Sequence, residues 1–141
     1  MISVLVVDDT QLIRERLSAI LSESSDVVVV AEASNGWEAI ERARRYQPDV
    51  VLLDISMPQL NGLQAAPLIK QAAPAAQILV VTQHNSHFFI RAAFAVGVLG
   101  FMEKKNAELA QRSQGCFLKE NVREPWSAIQ FRFSKHATVI F

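Results

Sequence analysis

Short runs of β-branched and aliphatic residues recur along the chain, and they constrain the fold more than any other feature of the sequence. They cover residues 4–7, 27–30, 50–53 and 78–81, with a weaker run at 98–102. Hydrophobicity within each run is continuous rather than alternating, which is typical of strands buried on both faces of a parallel sheet. The sequence therefore predicts a parallel sheet covered on both sides.

Helical patterns lie between these runs. Segments 10–22, 36–45, 63–73 and 87–96 place apolar residues at the three- and four-residue spacing of amphipathic helices. Thr10 is a candidate N-cap of the first helix, and Asn35 with Glu38 resembles a capping box at the second. Trp37, Ile40 and Ala43 lie along one stripe of that second helix. Alternation of strands and helices predicts right-handed crossovers with helices on both faces of the sheet. We expect a three-layer α/β sandwich of about five strand–helix units.

Composition limits the class of protein. The chain has 141 residues, of which 50% are hydrophobic, and 14 basic residues balance 14 acidic ones. One globular domain is expected, and a net charge of zero argues against direct binding of nucleic acid. The single cysteine, Cys116, excludes an internal disulfide. Neither a signal peptide nor an apolar run of the ~18 residues that a membrane span needs is found, so we expect a cytoplasmic protein without membrane contact.

Polar side chains stand where the predicted strands end. Asp8 and Asp9 follow the first strand, Asp54 follows the third, Thr82 ends the fourth and Lys104 follows the fifth. The carboxyl ends of parallel strands meet at one edge of the sheet, where open α/β folds bind their ligands. We therefore expect these five side chains to converge on one site.

Three neighbouring carboxylates repel one another, and a hard divalent cation offsets that repulsion. Mg²⁺ prefers a few carboxylates together with water and phosphate oxygens. A carboxylate can act as a nucleophile toward a phosphoryl group, giving an aspartyl phosphate. Asp54, with Thr82 and Lys104 placed to contact the transferred oxygens, is thus predicted to accept a phosphoryl group in a Mg²⁺-dependent reaction.

Four segments carry a family resemblance. VLVVDD at 4–9, PDVVLLDISMPQLNG at 48–62, VVT at 80–82 and GVLGFMEK at 97–104 resemble the receiver domain of bacterial two-component response regulators, over roughly residues 1–105. The NGWEA stretch resembles receivers that precede helix-turn-helix output domains. The resemblance implies a flavodoxin-like (βα)5 fold with a parallel sheet of strand order 2-1-3-4-5.

The resemblance also implies roles for the acidic residues. Asp54 matches the phosphoacceptor and Asp9 the direct metal ligand. Asp8 matches the acid that reaches the metal through water, and the backbone carbonyl of Ser56 matches a further metal ligand. Mg²⁺ is the cofactor that the resemblance implies.

The remaining matched positions belong to the response to phosphorylation. Thr82 matches the switch hydroxyl, Lys104 the lysine that pairs with the phosphate, and Phe101 the aromatic that changes rotamer. One departure from the family pattern is Gln83, since many receivers carry a small residue there that leaves the phosphate site open.

The function implied is a signalling switch. A histidine kinase would supply the phosphoryl group, and its transfer would alter the face formed by the fourth helix, fifth strand and fifth helix. The same face allows a weak homodimer. On this interpretation the chain is not an enzyme beyond its own phosphorylation and dephosphorylation.

Two other functions were weighed against the switch. A Mg²⁺-dependent phosphohydrolase working through an aspartyl phosphate is the alternative, but such enzymes typically need a second acid two residues after the nucleophile, where this chain has Ser56. A flavodoxin-like electron carrier is rejected, because Asp8 and Asp9 would repel the cofactor phosphate after the first strand.

The C-terminal region is less regular. We expect a receiver domain at 1–120 and a tail at 121–141, with the fifth helix at either 106–118 or 126–135. Large apolar residues near the end of the chain predict that the tail packs against the body or against a second copy. The remaining length is too short for a helix-turn-helix domain, so we expect a stand-alone receiver or a piece of a longer regulator.

Overall fold

The computed structural model describes residues 1–82, 91–93, 95–98, 100–103, 116–118 and 139–140. The strands are Ile2–Val7 (β1), Val27–Ala33 (β2), Val50–Leu53 (β3), Gln77–Thr82 (β4), Gly100–Glu103 (β5), Cys116–Leu118 (β6) and Val139–Ile140 (β7). The helices are Gln11–Ser22 (α1), Gly36–Tyr46 (α2) and Gly62–Ala72 (α3), and residues 91–93 and 95 are also helical. None of the helices in this part of the chain has the length and apolar character to span a bilayer.

The sheet has the order β2-β1-β3-β4-β5-β6-β7. Strands β1 to β5 pair in parallel, which confirms the predicted flavodoxin-like order 2-1-3-4-5. Strand β6 then runs antiparallel to β5, and β7 pairs in parallel with β6. The two additional strands extend the sheet beyond the predicted edge, where β5 would otherwise leave backbone groups unpaired.

The prediction of a fifth helix over 106–118 is wrong at its C-terminal end, because Cys116–Leu118 is strand β6. Phe117 pairs in register with Phe101 of β5. Three apolar residues in succession suit a strand beside an apolar sheet edge, and Gly115 just before them disfavours helix. The alternative fifth helix at 126–135 and most of the proposed tail lie outside the described residues.

Alternate residues of β1 contribute to two separate cores. Val4 and Val6 pack with the buried face of α1, while Leu5 and Val7 pack with α2 and α3 on the other side of the sheet. All four side chains are essentially fully buried. This two-sided burial is the reason that hydrophobicity is continuous along the strand.

The helix termini follow local sequence signals. The Asn35 side chain accepts a hydrogen bond from the Glu38 backbone N–H (2.9 Å), and Asn61 and Gln64 form a complete capping box at the start of α3. The Glu38 carboxylate instead accepts from the Ser34 hydroxyl (3.0 Å), so only half of the capping box predicted at α2 forms. Thr10, the predicted cap of α1, makes no side-chain capping bond.

Helix α2 buries a narrower stripe than predicted. Gly36, Ala39, Ile40 and Ala43 are buried, at the spacing of one helical face. Trp37, which was expected on that stripe, is 58% exposed because it is one residue further round the helix.

Candidate functional site

The register between β1 and β3 places two aspartates side by side. Val7 pairs with Leu53, so that Asp8 and Asp54 each follow a paired residue. The backbone N–H of Asp54 donates a hydrogen bond to the Val7 carbonyl oxygen (3.0 Å), which extends the ladder by one step. Both acids therefore stand at the carboxyl edge of adjacent strands.

Asp8, Asp9 and Asp54 form one acidic cluster. Each offers a carboxylate oxygen, and these oxygens all lie within 4.8 Å of one another. Asp8 and Asp54 are both 1% exposed, whereas Asp9 is exposed to solvent. The cluster thus consists of two buried acids and a third at its rim. The sequence predicted that the three acids converge, and the structure adds which of them are buried.

The donor set of the cluster fits a hard divalent cation. Three carboxylates at this separation repel one another, and the repulsion is strongest for the two that are withdrawn from water. Carboxylate oxygens are the ligands that Mg²⁺ prefers, and one exposed member leaves room for water and for a phosphate oxygen.

Backbone N–H groups hold two of the carboxylates in place. The Asp8 carboxylate accepts from the backbone N–H of Thr10 (2.9 Å), just before α1 begins. The Asp54 carboxylate accepts from the backbone N–H of Ser56 (3.3 Å). Ser56 is exposed, so it lies at the rim of the acidic cluster, beside Asp54.

Arg14 is a neighbour of the cluster that the sequence analysis missed. Its guanidinium donates a hydrogen bond from Nη1 to the Asp8 carbonyl oxygen (2.7 Å) and pairs through Nε with Glu32 of β2 (3.4 Å). Glu32 also accepts from the Ser18 hydroxyl (2.9 Å). The Asp8 carbonyl is part of the peptide group that joins Asp8 to Asp9. The hydrogen bond from Arg14 therefore fixes the orientation of the peptide group that precedes Asp9.

The sequence did carry a signal for Arg14. It directly follows Ile13, an apolar position of the helical pattern at 10–22, which places the stem of its side chain beside the core. In the structure the side chain is only 15% exposed. A long cationic side chain this close to the core needs a hydrogen-bond acceptor. Arg14 is four residues after Thr10, so its side chain lies over the start of the helix. The partner on β2 could be identified only from the tertiary structure.

The loop between β3 and α3 is held from within. The Gly62 N–H donates to the Ile55 carbonyl oxygen (2.9 Å), and Ile55 and Met57 are buried. A Cβ at Gly62 would overlap the carbonyl oxygen of Asp54, so this close approach requires glycine. The loop therefore fixes the backbone of Asp54 on its C-terminal side.

The other predicted site residues are only partly described. Thr82 ends β4 and pairs in register with Glu103, the last residue of β5, which places both at the edge that bears the acidic cluster. Phe101 pairs with Val80 in the interior of the sheet. Lys104 follows Glu103 directly and, like Gln83, lies outside the described residues. The roles of Thr82, Phe101 and Lys104 stay predictions.

Comparison with known proteins agrees with this arrangement. The model of the response regulator receiver domain family matches residues 4–113, so the chain belongs to that family. The crystal structure of a LuxR-family two-component response regulator from Aurantimonas sp. SI85-9A1 superposes with a TM-score of 0.73 at 28% identity, covering 98% of this chain and 89% of that one.

Curated relatives are longer proteins. The transcriptional regulatory protein LnrK of Bacillus subtilis is 36% identical over 104 residues, which cover 74% of this chain and 47% of LnrK. The chain thus spans about half the length of this relative.

Relatives also correct one expectation. A protein-glutamate methylesterase/protein-glutamine glutaminase of Colwellia psychrerythraea is 36% identical over 138 residues, covering 96% of this chain and 36% of that protein. Receivers similar to this chain therefore occur within enzymes as well as within regulators. The expectation that the protein is not an enzyme is therefore wrong, because a receiver sequence of this kind also occurs in proteins that are enzymes.

Proposed function

We propose that this receiver accepts a phosphoryl group on Asp54 from a phosphohistidine of a histidine kinase, in a Mg²⁺-dependent reaction. The observation that carries the proposal is the acidic cluster at the carboxyl edge of the sheet. In it, carboxylate oxygens of Asp54, Asp8 and Asp9 lie within 4.8 Å of one another. Membership of the receiver family supports the same function.

Residues for holding the cation are at hand. Asp9, Asp54 and the backbone carbonyl of Ser56 would ligate Mg²⁺, with Asp8 contacting it through water, and the ion would supply positive charge that offsets the acids and the phosphoryl oxygens.

In the proposed transfer step Asp54 is the nucleophile. One of its carboxylate oxygens attacks phosphorus, and the phosphorus–nitrogen bond to the donor imidazole breaks, leaving its electron pair on that nitrogen. The hydrogen bond from the Ser56 N–H to Oδ1 (3.3 Å) orients the carboxylate. Catalysis of this kind consists largely of positioning and charge neutralisation.

The response follows from the added charge. A phosphoryl group on Asp54 brings a charge near −2 and new acceptor oxygens. Thr82 and Lys104 would turn toward those oxygens, and Phe101 would move into the space left by Thr82. This biases a surface of the fourth helix, fifth strand and fifth helix between two states.

The experiment is phosphorylation by a small donor. Incubation with acetyl phosphate and Mg²⁺ should add one phosphoryl group, measured by intact mass spectrometry, and chelation of the metal should prevent it. Asp54→Asn should abolish the mass gain, because an amide oxygen is a poor nucleophile.

Asp49→Asn is the matched control. Asp49 stands at the other end of β3 and is exposed, so its variant should label like the wild type. Labelling of Asp54→Asn at the wild-type rate would refute the assignment of the phosphoacceptor.

The arrangement beyond the receiver is also part of the proposal. We place the receiver at 1–120 and assign 121–141 to a tail that packs on the body or on a second copy. Deletion of 125–141 should lower the melting temperature or the sedimentation coefficient. Unchanged values for both would contradict a packed tail.

A further inference from the structure

A cleft between α2 and α3 is the feature that the phosphoryl-transfer site leaves unexplained. It has a volume of about 320 Å³, and its lining residues are Trp37, Ile40, Arg44, Leu68, Gln71 and Ala72. We propose that this cleft binds a short acidic segment of a partner protein that carries one large apolar side chain.

Both ends of the cleft are held together, so it is formed before any partner arrives. At one end α2 approaches the β3–α3 loop so closely that a Cβ at Gly36 would lie 2.7 Å from the Leu60 carbonyl oxygen. At the other end the Gln47 side chain donates to the carbonyl oxygens of Arg44 and of Ala72 (both 2.9 Å). A preformed site loses little ordering entropy on binding.

Trp37 supplies the apolar part of the cleft. It is 58% exposed, although a large aromatic side chain gains free energy by burial. Leu68 and Ala72 on α3 are half-buried and continue the apolar surface from Trp37. Exposed aromatic side chains of this kind often supply much of the binding energy of protein interfaces.

Arg44 supplies the charge. In the part of the chain that the structure describes, its guanidinium has no acidic partner, whereas Arg42 on the same helix pairs with Glu38 (3.6 Å). None of the cleft-lining residues is acidic. The complementary group is therefore a carboxylate, which an arginine fork binds with two parallel hydrogen bonds.

Charge also decides against a second copy as the occupant. A two-fold contact over the cleft would present the same surface from both chains. Arg44 would then be present from each copy at one interface, with no cleft-lining acid to offset the two charges. A partner carboxylate would instead pair with Arg44.

The spacing sets the size of the ligand. Trp37 and Arg44 are seven residues apart on one helix, which is about 10 Å along its axis. Two turns of a partner helix span that distance, with an apolar anchor at one end and Asp or Glu at the other. The cleft volume of about 320 Å³ can hold one large side chain.

The test is binding of a fluorescein-labelled ten-residue peptide of Glu and Leu at helical spacing, measured by anisotropy on the full chain. A peptide with Lys in place of each Glu is the charge control. We expect the acidic peptide to bind, Trp37→Ser to weaken it at least about tenfold, and Arg44→Glu to weaken it equally while improving the Lys peptide.

Arg45→Glu is the matched variant, since it makes the same charge change on the same helix outside the cleft. It should change the affinity by about threefold or less. Circular dichroism melting checks that each variant is folded. The three substituted positions are all exposed, so we expect the variants to fold.

Four results would overturn the proposal. Three of them are no binding of the acidic peptide by the folded wild type, equal losses for Arg45→Glu and Arg44→Glu, and sedimentation showing a dimer that Trp37→Ser dissociates. Tighter binding of a ten-residue oligothymidylate than of the acidic peptide would also overturn it, in favour of a nucleic acid.

Discussion

Strand β3 carries an aspartate just before its first residue and another just after its last. Asp49 is exposed, and its Oδ2 accepts hydrogen bonds from the Ser3 backbone N–H (2.8 Å) and hydroxyl (3.0 Å). Asp54, four residues of strand away, is 1% exposed and lies in the acidic cluster. One end of the strand joins its acid to β1 through hydrogen bonds, and the other end brings three acids within 4.8 Å of one another.

The difference shows what each end of the sheet does. Hydrogen bonds around Asp49 and Ser3 join β1 to β3 where no ligand is needed. At the carboxyl edge, the fold places like charges together and so gives up stability for a site.

The largest effect is expected from Gly62→Ala. The added Cβ would overlap the Asp54 carbonyl oxygen and come within 2.9 Å of the Ile55 Cα, so the loop must move. We expect a loss of about 2–3 kcal/mol in the free energy of unfolding by urea denaturation. Slower labelling of Asp54 should accompany it.

Gly97→Ala is the control for this glycine. Its φ is +89°, but within the described structure no atom lies within 4 Å of the added Cβ. The cost should be only about 1 kcal/mol. A smaller loss for Gly62→Ala than for Gly97→Ala would contradict a tightly held loop at the acidic end of β3.

Mg²⁺ should stabilise the folded protein through the acidic cluster and not through Asp49. At ten times its dissociation constant, a ligand that binds only the folded state adds about 1.4 kcal/mol. Thermal melting of the wild type and of Asp49→Asn should therefore shift upward with Mg²⁺. Asp9→Ala should show little shift, and a full shift would remove Asp9 from the site.

Arg14→Ala should weaken Mg²⁺ binding without removing a ligand. Loss of the hydrogen bond to the Asp8 carbonyl oxygen (2.7 Å) frees the peptide unit before Asp9. We expect a loss of about tenfold in affinity, measured by titration of backbone NMR shifts at Asp9. Arg14→Lys should restore part of it.

Arg16→Ala is the matched control for Arg14→Ala, since it removes the same charge from an exposed position on the same helix. Removing a positive charge by itself should strengthen cation binding, so Arg16→Ala should leave the affinity unchanged or slightly raised. A loss for Arg16→Ala equal to that for Arg14→Ala would contradict a specific effect of the position of Arg14.

The smallest effects are expected when the carboxylate of Asp49 or of Asp9 is removed in the absence of metal. Asp49→Ala should lower the melting temperature by about 3–5 °C, because two hydrogen bonds from Ser3 are lost. Asp9→Ala should raise it by about 1–3 °C, because repulsion within the acidic cluster is relieved. Shifts of the same sign would remove the contrast between the two ends of β3.

Much of the receiver could be predicted because its signals are local. Strands β1, β3 and β4 each contain a continuous apolar run of four residues, and Asp8, Asp9 and Asp54 follow two of these runs directly. Parallel strands bring their carboxyl ends to one edge, so the convergence of these acids followed from their order in the chain. The family motifs then supplied the roles that spacing alone leaves open.

Tertiary contacts decided the rest. The ion pair between Arg14 and Glu32 joins residues 18 positions apart, and no periodicity in the sequence indicates such a pairing. Cys116–Leu118 is a strand because β5 offers an edge to pair with, although the surrounding sequence also suited a helix. Trp37 lies in the open cleft because α3 packs on Ile40 and Ala43 instead, and helical spacing alone could not choose between those faces.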